Sequence, residues 1–326
     1  MGRYLVSGAA GFIGSCVSRM LLEQGHAVVG VDNLNDAYDV RLKTYRLKAL
    51  DSHPHFSFHR EDISDRSAME KLGGQAGELD GLIHLAARAG VRSSVENPWL
   101  YLDTNVTGTL NLLEISRRQA IPKFILASTS SIYGADAPLP TPEDADSSHP
   151  LQPYAATKKA AEVLCHSYHH LYGIDVTVFR FFTVYGPAGR PDMSIFRFIQ
   201  WVFEERTLTV FGDGEQSRGF TYVDDIARGL ILGLRPLGYE VFNLGGHEVV
   251  TINHLIAQIE ATAGKHARLE HRPRHPADML ANCADVGKAR RMLGWSPQVS
   301  FQDGLAETID WYRRERAWAS RVDTDV

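Results

Sequence analysis

Apolar runs of strand length alternate with stretches of helical spacing through the first half of the chain. The predicted strands are 3–7, 27–31, 56–59, 81–87, 123–127 and 176–181. The stretches of helical spacing are 15–24, 97–119 and 152–172. Strands that alternate with helices in this way pair in parallel, and helices cover both faces of the sheet. The pattern therefore predicts an α/β protein with a doubly wound parallel sheet.

The alternation ends near residue 186, and the pattern beyond it is less regular. Helices are predicted at 193–205, 252–263 and 304–316, with a fourth that opens at Phe220 and runs through Leu234. Short strands are predicted at 208–211 and 241–246. We therefore predict two domains, 1–186 and 187–326, because a chain of 326 residues exceeds one typical domain.

Three glycines occupy the turn between the first predicted strand and the first predicted helix. Gly8, Gly11 and Gly14 follow the spacing G-x-x-G-x-x-G. Glycines at such a turn let the backbone approach a pyrophosphate, which the N–H groups of the helix N-terminus also attract. The second strand ends at Asp32, whose carboxylate suits both hydroxyls of an adenine ribose and repels a 2′-phosphate. The arrangement predicts a dinucleotide site that takes NAD rather than NADP.

Further candidate cofactor contacts stand where later strands end. Asp62 follows the third strand, and it could bond an adenine amino group with Ile63 against the ring; a solvated loop acid is the alternative. The fourth strand runs through Leu85 into the small residues Ala86 and Ala87, which leave room for a cofactor across the strand end. Asn105 interrupts the apolar face of the 97–119 helix. It is either a cofactor contact or a buried amide with satisfied hydrogen bonds.

A candidate catalytic group lies between the fifth strand and the helix that follows it. Tyr154 and Lys158 are four positions apart, which places both side chains on one face of a helix. A nearby ammonium favours the phenolate form of a tyrosine, and a phenolate is a general base for a sugar or alcohol hydroxyl. Thr129 lies just beyond the fifth predicted strand and offers a second hydroxyl to the same substrate oxygen. A solvated helix face is the alternative reading of the pair.

Composition and charge limit the partners and the cellular compartment that can be expected. The net charge of −5 gives no reason to expect nucleic acid or an anionic membrane as a partner. Cys16, Cys165 and Cys283 are far apart and are not spaced as metal ligands, so no metal is expected and a reducing cytoplasm is the simplest location. No apolar run is long enough to cross a membrane, and the first strand begins directly, without a secretory leader.

Together these residues resemble the extended short-chain dehydrogenase/reductase family, in its branch of nucleotide-sugar epimerases and dehydratases. The resemblance covers nearly the whole chain and rests on the glycines, Asp32, 84–87, Asn105, Thr129, Tyr133-Gly134, Tyr154 with Lys158, 180–182 and 222–225. It implies a seven-stranded Rossmann sheet that binds NAD in domain 1–186, with 241–246 returning to that sheet, and a mainly substrate-binding domain at 187–326. It also implies Tyr154 as base, Lys158 on the nicotinamide ribose and Thr129 on the reacting hydroxyl.

The resemblance assigns a full set of residues to the cofactor. They are Gly8, Gly11, Phe12, Ile13, Gly14, Asp32, Asn33, Asn35, Asp62, Ile63, Leu85, Ala86, Ala87, Asn105, Tyr154, Lys158 and Val184. Members of the family commonly dimerise by packing the 97–119 and 152–172 helices into a four-helix bundle, so a homodimer is expected.

Four stretches, 32–36, 87–92, 183–187 and 189–193, are most similar to the branch of the family that epimerises C4 of UDP-glucuronate. That branch implies UDP-sugar contacts from Arg88, Thr129, Ser130, Ser131, Thr183, Arg190, Arg218 and Asp278. Arg218 matches an arginine that clamps the diphosphate, with a surface arginine as the alternative. Arg190 either binds the substrate carboxylate or closes the pocket. Near Asp278 the chain departs from the family's Arg-Pro-Gly-Asp, and either Arg272 or Arg274 replaces the usual arginine.

Other chemistries of the family need residues that this chain lacks. A 4,6-dehydratase carries Asp-Glu after the threonine, where this chain has Ser130 and Ser131, neither with a pKa suited to that work. A UDP-glucuronate decarboxylase carries a glutamate in the 129–133 segment, which is here without an acid. An epimerase of a neutral UDP-hexose usually has asparagine in place of Thr183. A catalytically idle NAD sensor would have no need of Thr129, Tyr154 and Lys158 together.

Overall fold

The computed structural model describes residues 1–246, 248–273 and 281–324. The strands are β1 Arg3–Ser7, β2 Ala27–Val31, β3 Phe56–His59, β4 Gly81–His84, β5 Lys123–Thr129, β6 Asp175–Phe181, β7 Thr183–Tyr185, β8 Thr207–Phe211, β9 Ser217–Tyr222, β10 Tyr239–Leu244, β11 Glu248–Thr251 and β12 Arg268–Arg272. The helices are α1 Phe12–Glu23, α2 Val40–Asp51, α3 Arg66–Gln75, α4 Val91–Glu96, α5 Pro98–Leu102, α6 Gly108–Arg118, α7 Pro153–Tyr172, α8 Ser194–Phe203, α9 Val223–Leu232, α10 Ile252–Ala263, α11 Gly287–Leu293 and α12 Phe301–Ala319.

A seven-stranded sheet in the order β10-β6-β5-β4-β1-β2-β3 forms the centre of the molecule. Every pairing within it is parallel. The doubly wound α/β fold predicted from the sequence is therefore confirmed. β10 comes from beyond residue 186, and it pairs with β6 from Tyr239↔Val176 to Leu244↔Phe181.

Each face of this sheet is covered by helices, as the strand sequences require. In β5, Phe124 and Leu126 pack in the cluster that includes residues of α3, α6 and α7, whereas Ile125 packs with residues of α1 and α9. All three side chains are 0% exposed, so both faces of the strand are buried. Burying each such side chain contributes roughly 1.5–3 kcal/mol. A continuous apolar run is therefore favourable in this central strand, whereas an alternating one would not be.

The remaining elements form a second region around an aromatic core. A three-stranded sheet, β11-β9-β7, and a two-stranded sheet, β12-β8, pack with α8, α10 and α12. The sequence places Phe220 at the opening of a helix, which is wrong: Phe220 lies in β9, and α9 begins at Val223. Phe220 is buried against Tyr185 and Phe301, and β9 is paired on both sides, so tertiary packing decides the local structure.

The helix predicted at 97–119 is interrupted by one π-helical turn. α5 leads into this turn at Asp103–Thr107, and α6 continues from Gly108. A π-turn widens the helix locally, and such turns often lie at functional sites. Here the turn carries Asn105, which is 0% exposed. Within the described residues, none of the helices is both long and apolar enough to cross a bilayer.

Candidate active site

The glycine turn after β1 leaves space that side chains would otherwise fill. A Cβ on Gly14 would lie 2.0 Å from the carbonyl oxygen of Gly8. Gly8 itself has φ +74°, and a Cβ there would lie 2.7 Å from the amide nitrogen of Ala86. Gly11 precedes the first residue of α1, so the N-terminal amides of that helix open at the turn. The turn therefore fits a pyrophosphate held by backbone N–H groups at a helix N-terminus.

Asp32 lies at the end of β2 and is buried beside a lysine. One of its oxygens accepts a hydrogen bond from Leu34 N at 2.8 Å, and Lys43 Nζ lies 3.6 Å from the same oxygen. Lys43 also donates to Asn35 Oδ1 at 2.9 Å, which ties the loop after β2 to α2. No spacing in the sequence indicated that Lys43 lies beside Asp32. The ammonium balances the charge of Asp32, and the second carboxylate oxygen remains suited to a ribose hydroxyl.

Asp62 is held by neighbours rather than left as a solvated loop acid. Its Oδ1 accepts from the amide and hydroxyl of Ser64, and its Oδ2 accepts from Asn33 Nδ2 at 2.7 Å. Burial raises the pKa of Asp62, but hydrogen bonds from Ser64 and Asn33 and the charge of Arg88 outweigh it, so the pKa is lowered overall. Asp62 is therefore ionised near neutral pH and linked to the Asp32 loop through Asn33.

One cleft, of about 540 Å³, opens at the carboxyl edge of the central sheet. It is lined by these predicted site residues: Gly8, Gly11, Phe12, Ile13, Gly14, Leu85, Ala87, Thr129, Ser130, Ser131, Tyr154, Lys158, Thr183, Val184, Arg190 and Arg218. The predicted residues outside this lining are Asp32, Asn33, Asn35, Asp62, Ile63, Ala86, Arg88 and Asn105. Asp278 lies outside the described residues. The structure thus brings the glycine turn and the Tyr154–Lys158 helix to a single cleft.

Tyr154 and Lys158 face this cleft from α7, and burial acts on both. Burial raises the pKa of Tyr154, while a hydrogen bond with Thr129 and the positive charge of Arg190 act to lower it. Burial lowers the pKa of Lys158 to about 8, against the opposing effects of Cys165 and Glu162. Arg190 is therefore a cation that favours the phenolate of Tyr154. The same role for Lys158, four positions along α7, stays a prediction.

The substrate end of the cleft is lined by uncharged hydroxyls. Thr129 Oγ1 donates to Ser131 Oγ at 3.2 Å and accepts from Ser131 N at 3.2 Å. The chain turns there through a short 3₁₀ helix, Ser130–Tyr133, which presents Ser130 and Ser131 to the cleft. Among the described residues of the lining, the single carboxylate is Asp192, and it is paired to Arg190 at 2.6 Å.

Asn105 takes the role of a buried amide with satisfied hydrogen bonds. Its side chain accepts from Arg88 N at 2.9 Å and donates to Arg88 O and to Thr157 Oγ1, both at 3.0 Å. It thereby fastens the loop after β4 to α7, one residue before Lys158. The Nε of Arg88 is buried and has no hydrogen-bond partner. Arg218 is part-buried at the cleft, and its Nη1 donates to Ser217 O at 2.8 Å.

A buried network behind the cleft holds the carboxyl end of β5. Glu162 is one turn beyond Lys158 and makes a two-pronged ion pair with Arg180 at 3.0 and 2.9 Å. Ser128 donates to Glu162 at 2.6 Å, and Arg180 also donates to Tyr133 Oη at 2.9 Å. The network joins β5, β6 and α7 directly beneath Thr129, so the position of that hydroxyl is determined by buried bonds on three elements.

Several residues that line the cleft were not predicted from the sequence. Among them are Tyr38, Arg92, Asp192, Met193 and Asn282. Arg92 on α4 reaches the second region, with its guanidinium 5.3 Å from the ring centre of Phe211. Asn282 Oδ1 accepts from Gly219 N at 2.9 Å. Tyr38 lies in the loop after Asp32, and Asp192 lies two positions after Arg190, so both are near predicted residues. Asn282 reaches the cleft through contacts distant in sequence.

Comparison with known proteins places the chain in a family. The sequence profile of the NAD dependent epimerase/dehydratase family matches residues 4–245, well over half of the chain. The chain therefore belongs to this family, an NAD-dependent class of enzymes, and the glycine turn and Asp32 are the features that suit NAD.

The more particular likeness is to 4-epimerases of UDP-sugars. A protein of Thermodesulfobacterium geofontis named UDP-glucuronate 4-epimerase is 54% identical over 312 residues, covering 95% of this chain and 96% of its own. A crystal structure of UDP-glucuronic acid 4-epimerase from Bacillus cereus, with UDP-glucuronic acid and NAD, is 38% identical. It superposes with a TM-score of 0.89 and covers 96% of this chain and 99% of its own. A crystal structure of UDP-glucose 4-epimerase from Thermotoga maritima, with UDP-glucose, is 33% identical and superposes with a TM-score of 0.89. It covers 96% of this chain and 99% of its own.

Proposed function

We propose that this protein is a UDP-glucuronate 4-epimerase, which interconverts UDP-glucuronate and UDP-galacturonate through a transient 4-keto sugar. The observation that carries the proposal is the set of neutral hydroxyls beside Tyr154, on Thr129, Ser130, Ser131 and Thr183. An epimerase of a uronic acid needs one acid/base group and must hold a carboxylate without supplying another acid. The names of relatives that match nearly the whole chain support the same assignment.

The cofactor side of the site is assigned to domain 1–186. Bound NAD supplies a hydride acceptor, so that C4 of the sugar can be oxidised to a ketone and reduced again. The glycine turn holds the pyrophosphate, Asp32 the adenine ribose, and Asp62 with Ile63 the adenine. Lys158 holds the nicotinamide ribose. Domain 187–326 supplies most of the contacts to UDP, with Arg218 as the clamp on the diphosphate.

Tyr154 moves the proton in both halves of the reaction. It takes the proton of the C4 hydroxyl as C4 is oxidised, and it returns that proton after the sugar has presented its other face. Because burial raises its pKa, the counteracting hydrogen bond from Thr129 and charge of Arg190 are needed to bring the phenol towards the working pH. The site must grip UDP firmly and the sugar loosely, so that the sugar can turn between the two transfers.

The 4-keto uronic acid is a β-keto acid and can lose CO₂, so an epimerase must prevent this. We assign the hydroxyls of Ser130, Ser131 and Thr183 to the substrate carboxylate. Hydrogen bonds from them hold the carboxylate near the plane of the ketone, where the C–C bond overlaps poorly with the carbonyl π system. Asp192, already paired to Arg190, is no free acid for decarboxylation or dehydration.

The two rival substrates and products are separated by one assay. The purified protein is incubated, without added NAD, with UDP-glucuronate and separately with UDP-glucose, and products are resolved by liquid chromatography. The proposal expects UDP-galacturonate from the first incubation and at most traces of UDP-galactose from the second. UDP-galactose as the main product would establish a neutral-hexose epimerase, and a UDP-pentose as the main product would establish a decarboxylase. No product from either would favour an NAD sensor.

We further propose a homodimer formed through α5, α6 and α7. Large apolar side chains project from these helices, with Trp99 72% exposed and Val163 56% exposed. Exposed apolar groups of this kind mark association surfaces. Val163→Glu should give a monomer by light scattering at micromolar concentration, whereas Val249→Glu, at an exposed position of β11, should not. The three free thiols suit a cytoplasmic location.

A further inference from the structure

Arg46 of α2 is a buried cation whose described partners include no carboxylate. Its side chain is 5% exposed, yet it donates to three backbone carbonyls and one hydroxyl. The bonds run to Ala188 O at 2.6 and 3.0 Å, Gly189 O at 3.2 Å, Ala10 O at 3.3 Å and Tyr38 Oη at 2.7 Å. Burying a guanidinium is costly even when its donors are satisfied. Arg46 is therefore a candidate for a role beyond packing.

The carbonyls that Arg46 binds belong to two loops far apart in sequence. Ala10 lies within the glycine turn, between β1 and α1, 36 positions from Arg46. Ala188 and Gly189 follow β7, 142 and 143 positions away. A planar guanidinium presents its donors in a rigid fork, so one side chain can fix both loops at a set separation. A lysine ammonium, a single point of charge, cannot reproduce that fork.

The loop after β7 needs such a restraint because its backbone is unusual. Ala188 has φ +51°, a left-handed conformation that residues other than glycine rarely adopt. Gly186, two positions earlier, has φ +152°, and a Cβ there would lie 2.8 Å from Val223 Cγ1. Two of the donors of Arg46 converge on the carbonyl of Ala188 itself. They stabilise the strained residue in the conformation that leads into Arg190.

Arg190 follows this restrained segment directly and faces the cleft. Its guanidinium pairs with Asp192 and lies 6.0 Å from the ring centre of Tyr38. The same Tyr38 ring lies 5.5 Å from the guanidinium of Arg46 and 5.3 Å from Lys43 Nζ. Tyr38 therefore stands among three cations that come from α2 and from the loop after β7.

We propose that Arg46 is a positioning residue for catalysis, which joins the glycine turn to the 186–190 loop and thereby holds Arg190 near Tyr154. The proposal rests on the proposed function where it takes Tyr154 as the base. Through Arg46, the geometry of the 186–190 loop depends on the geometry of the glycine turn. Arg46 is not among the residues that line the cleft.

The consequence for Tyr154 has a definite sign. The groups that face its phenol are the hydroxyl of Thr129 from β5, the ring and hydroxyl of Tyr101 from α5, and the guanidinium of Arg190. Lys158 faces the same cleft one turn along α7. Thr129 and Arg190 lower the pKa of Tyr154, and Tyr101 raises it. If the loop relaxes and Arg190 withdraws, the pKa of Tyr154 rises and the acid limb of the pH–kcat profile moves to higher pH.

Arg46→Lys is the main test, because it keeps the charge and is the gentler change. Arg41→Lys is the matched control, since Arg41 lies on the same helix but is 46% exposed and pairs with Asp39. With UDP-glucuronate, the proposal expects Arg46→Lys to lower kcat on the order of tenfold and to move the acid limb upward. KM should change less than kcat. Arg46→Met should show the same shift to a larger extent.

A second readout does not depend on turnover. Hydrogen–deuterium exchange of the peptide spanning residues 186–193 is measured in wild type, Arg46→Lys and Arg41→Lys, each with its NAD content determined. The proposal expects exchange in this peptide to rise about tenfold in Arg46→Lys alone. If wild type fails to turn over any UDP-sugar, the proposed function fails but this measurement still tests the restraint. Unchanged exchange, or a fall in kcat without a shift of the acid limb, would overturn the proposal.

Discussion

The two sides of the cleft are built in different ways. The cofactor side consists of backbone that leaves space for a ligand and of one carboxylate at a strand end. Cβ atoms added to Gly8, Gly11 and Gly14 would lie 2.0–2.8 Å from neighbouring atoms. The side assigned to the substrate is made of side-chain hydroxyls and the guanidinium groups of Arg190 and Arg218, positioned by bonds that join distant parts of the chain. The first depends on steric exclusion and the second on electrostatics. They should therefore fail separately, with different readouts.

The largest expected effect lies on the substrate side. Tyr154→Phe removes the acid/base group but leaves the ring, the fold and the glycine turn in place. We expect kcat for UDP-glucuronate to fall about 10³-fold, while the NAD content of the purified protein stays at the parent level. Turnover is measured by chromatography, and NAD is measured after denaturation. A variant that retained the parent rate would remove Tyr154 from the mechanism.

The complementary change breaks the cofactor side. Gly14→Ala places a Cβ 2.0 Å from Gly8 O, against backbone that cannot move aside cheaply. We expect NAD affinity to fall about a hundredfold, or ~3 kcal/mol, and turnover to recover in part when NAD is added in excess.

The control for this change is Gly74→Ala, on α3, where a Cβ meets nothing within 4 Å. It should retain NAD and gain about 0.5–1 kcal/mol of stability. Retention of NAD by Gly14→Ala at the parent level would contradict the steric account of the turn.

Lys158 stands where the two sides meet, and its burial has a measurable cost. Its pKa is lowered from 10.5 to about 8, so the folded protein binds fewer protons than the unfolded chain between these values. The buried charge of Lys158 therefore lowers the free energy of unfolding most below pH 8. This penalty disappears as the pH rises from 8 to 10.5.

Lys158→Met should accordingly raise the free energy of unfolding by about 2 kcal/mol at pH 7. The gain should shrink as pH rises from 8 towards 10.5, as measured by urea denaturation at a series of pH values. A gain that is independent of pH would mean that packing, and not the buried charge, separates the two proteins.

The smallest of these effects sharpens the comparison within the substrate side. Ser130→Glu adds an acid where the cleft has only hydroxyls. We expect the UDP-pentose fraction of the product to rise about tenfold, because the carboxylate is displaced from the hydroxyls and an acid is available to the keto sugar. Ser130→Gln, similar in shape but neutral, is the control. An unchanged product ratio in Ser130→Glu would count against control of decarboxylation by these hydroxyls.

The same contrast explains how far the sequence could be interpreted. Gly8, Gly11, Gly14 and Asp32 act through local geometry within about thirty residues of chain, so their spacing predicted both the fold class and the cofactor. The confirmed central sheet follows from the apolar runs for the same reason. Tyr154 and Lys158 could be recognised because a helix places them on one face.

The parts that the sequence analysis missed depend on contacts between distant segments. In the sequence, Arg46 cannot be distinguished from other basic residues of an amphipathic helix. Its contacts with Ala10 and Ala188 exist only in the folded chain. Likewise, nothing in the sequence connected Arg190 with Tyr154, because only Lys158 stands near Tyr154 along the chain. Phe220 was placed in a helix because β7 and β11, the strands that pair with β9, are distant from it in sequence. The residues next to Phe220 therefore give no sign of this pairing.

The most direct test of the central claim follows a label at the reacting carbon. UDP-glucuronate carrying deuterium at C4 is incubated with the purified protein without added NAD, and the UDP-galacturonate formed is examined by mass spectrometry and NMR. Removal and return of the same hydrogen within one site predicts inverted C4 that retains its deuterium. Product that has exchanged its C4 label for hydrogen from solvent, or that forms with the label at another carbon, would contradict the account.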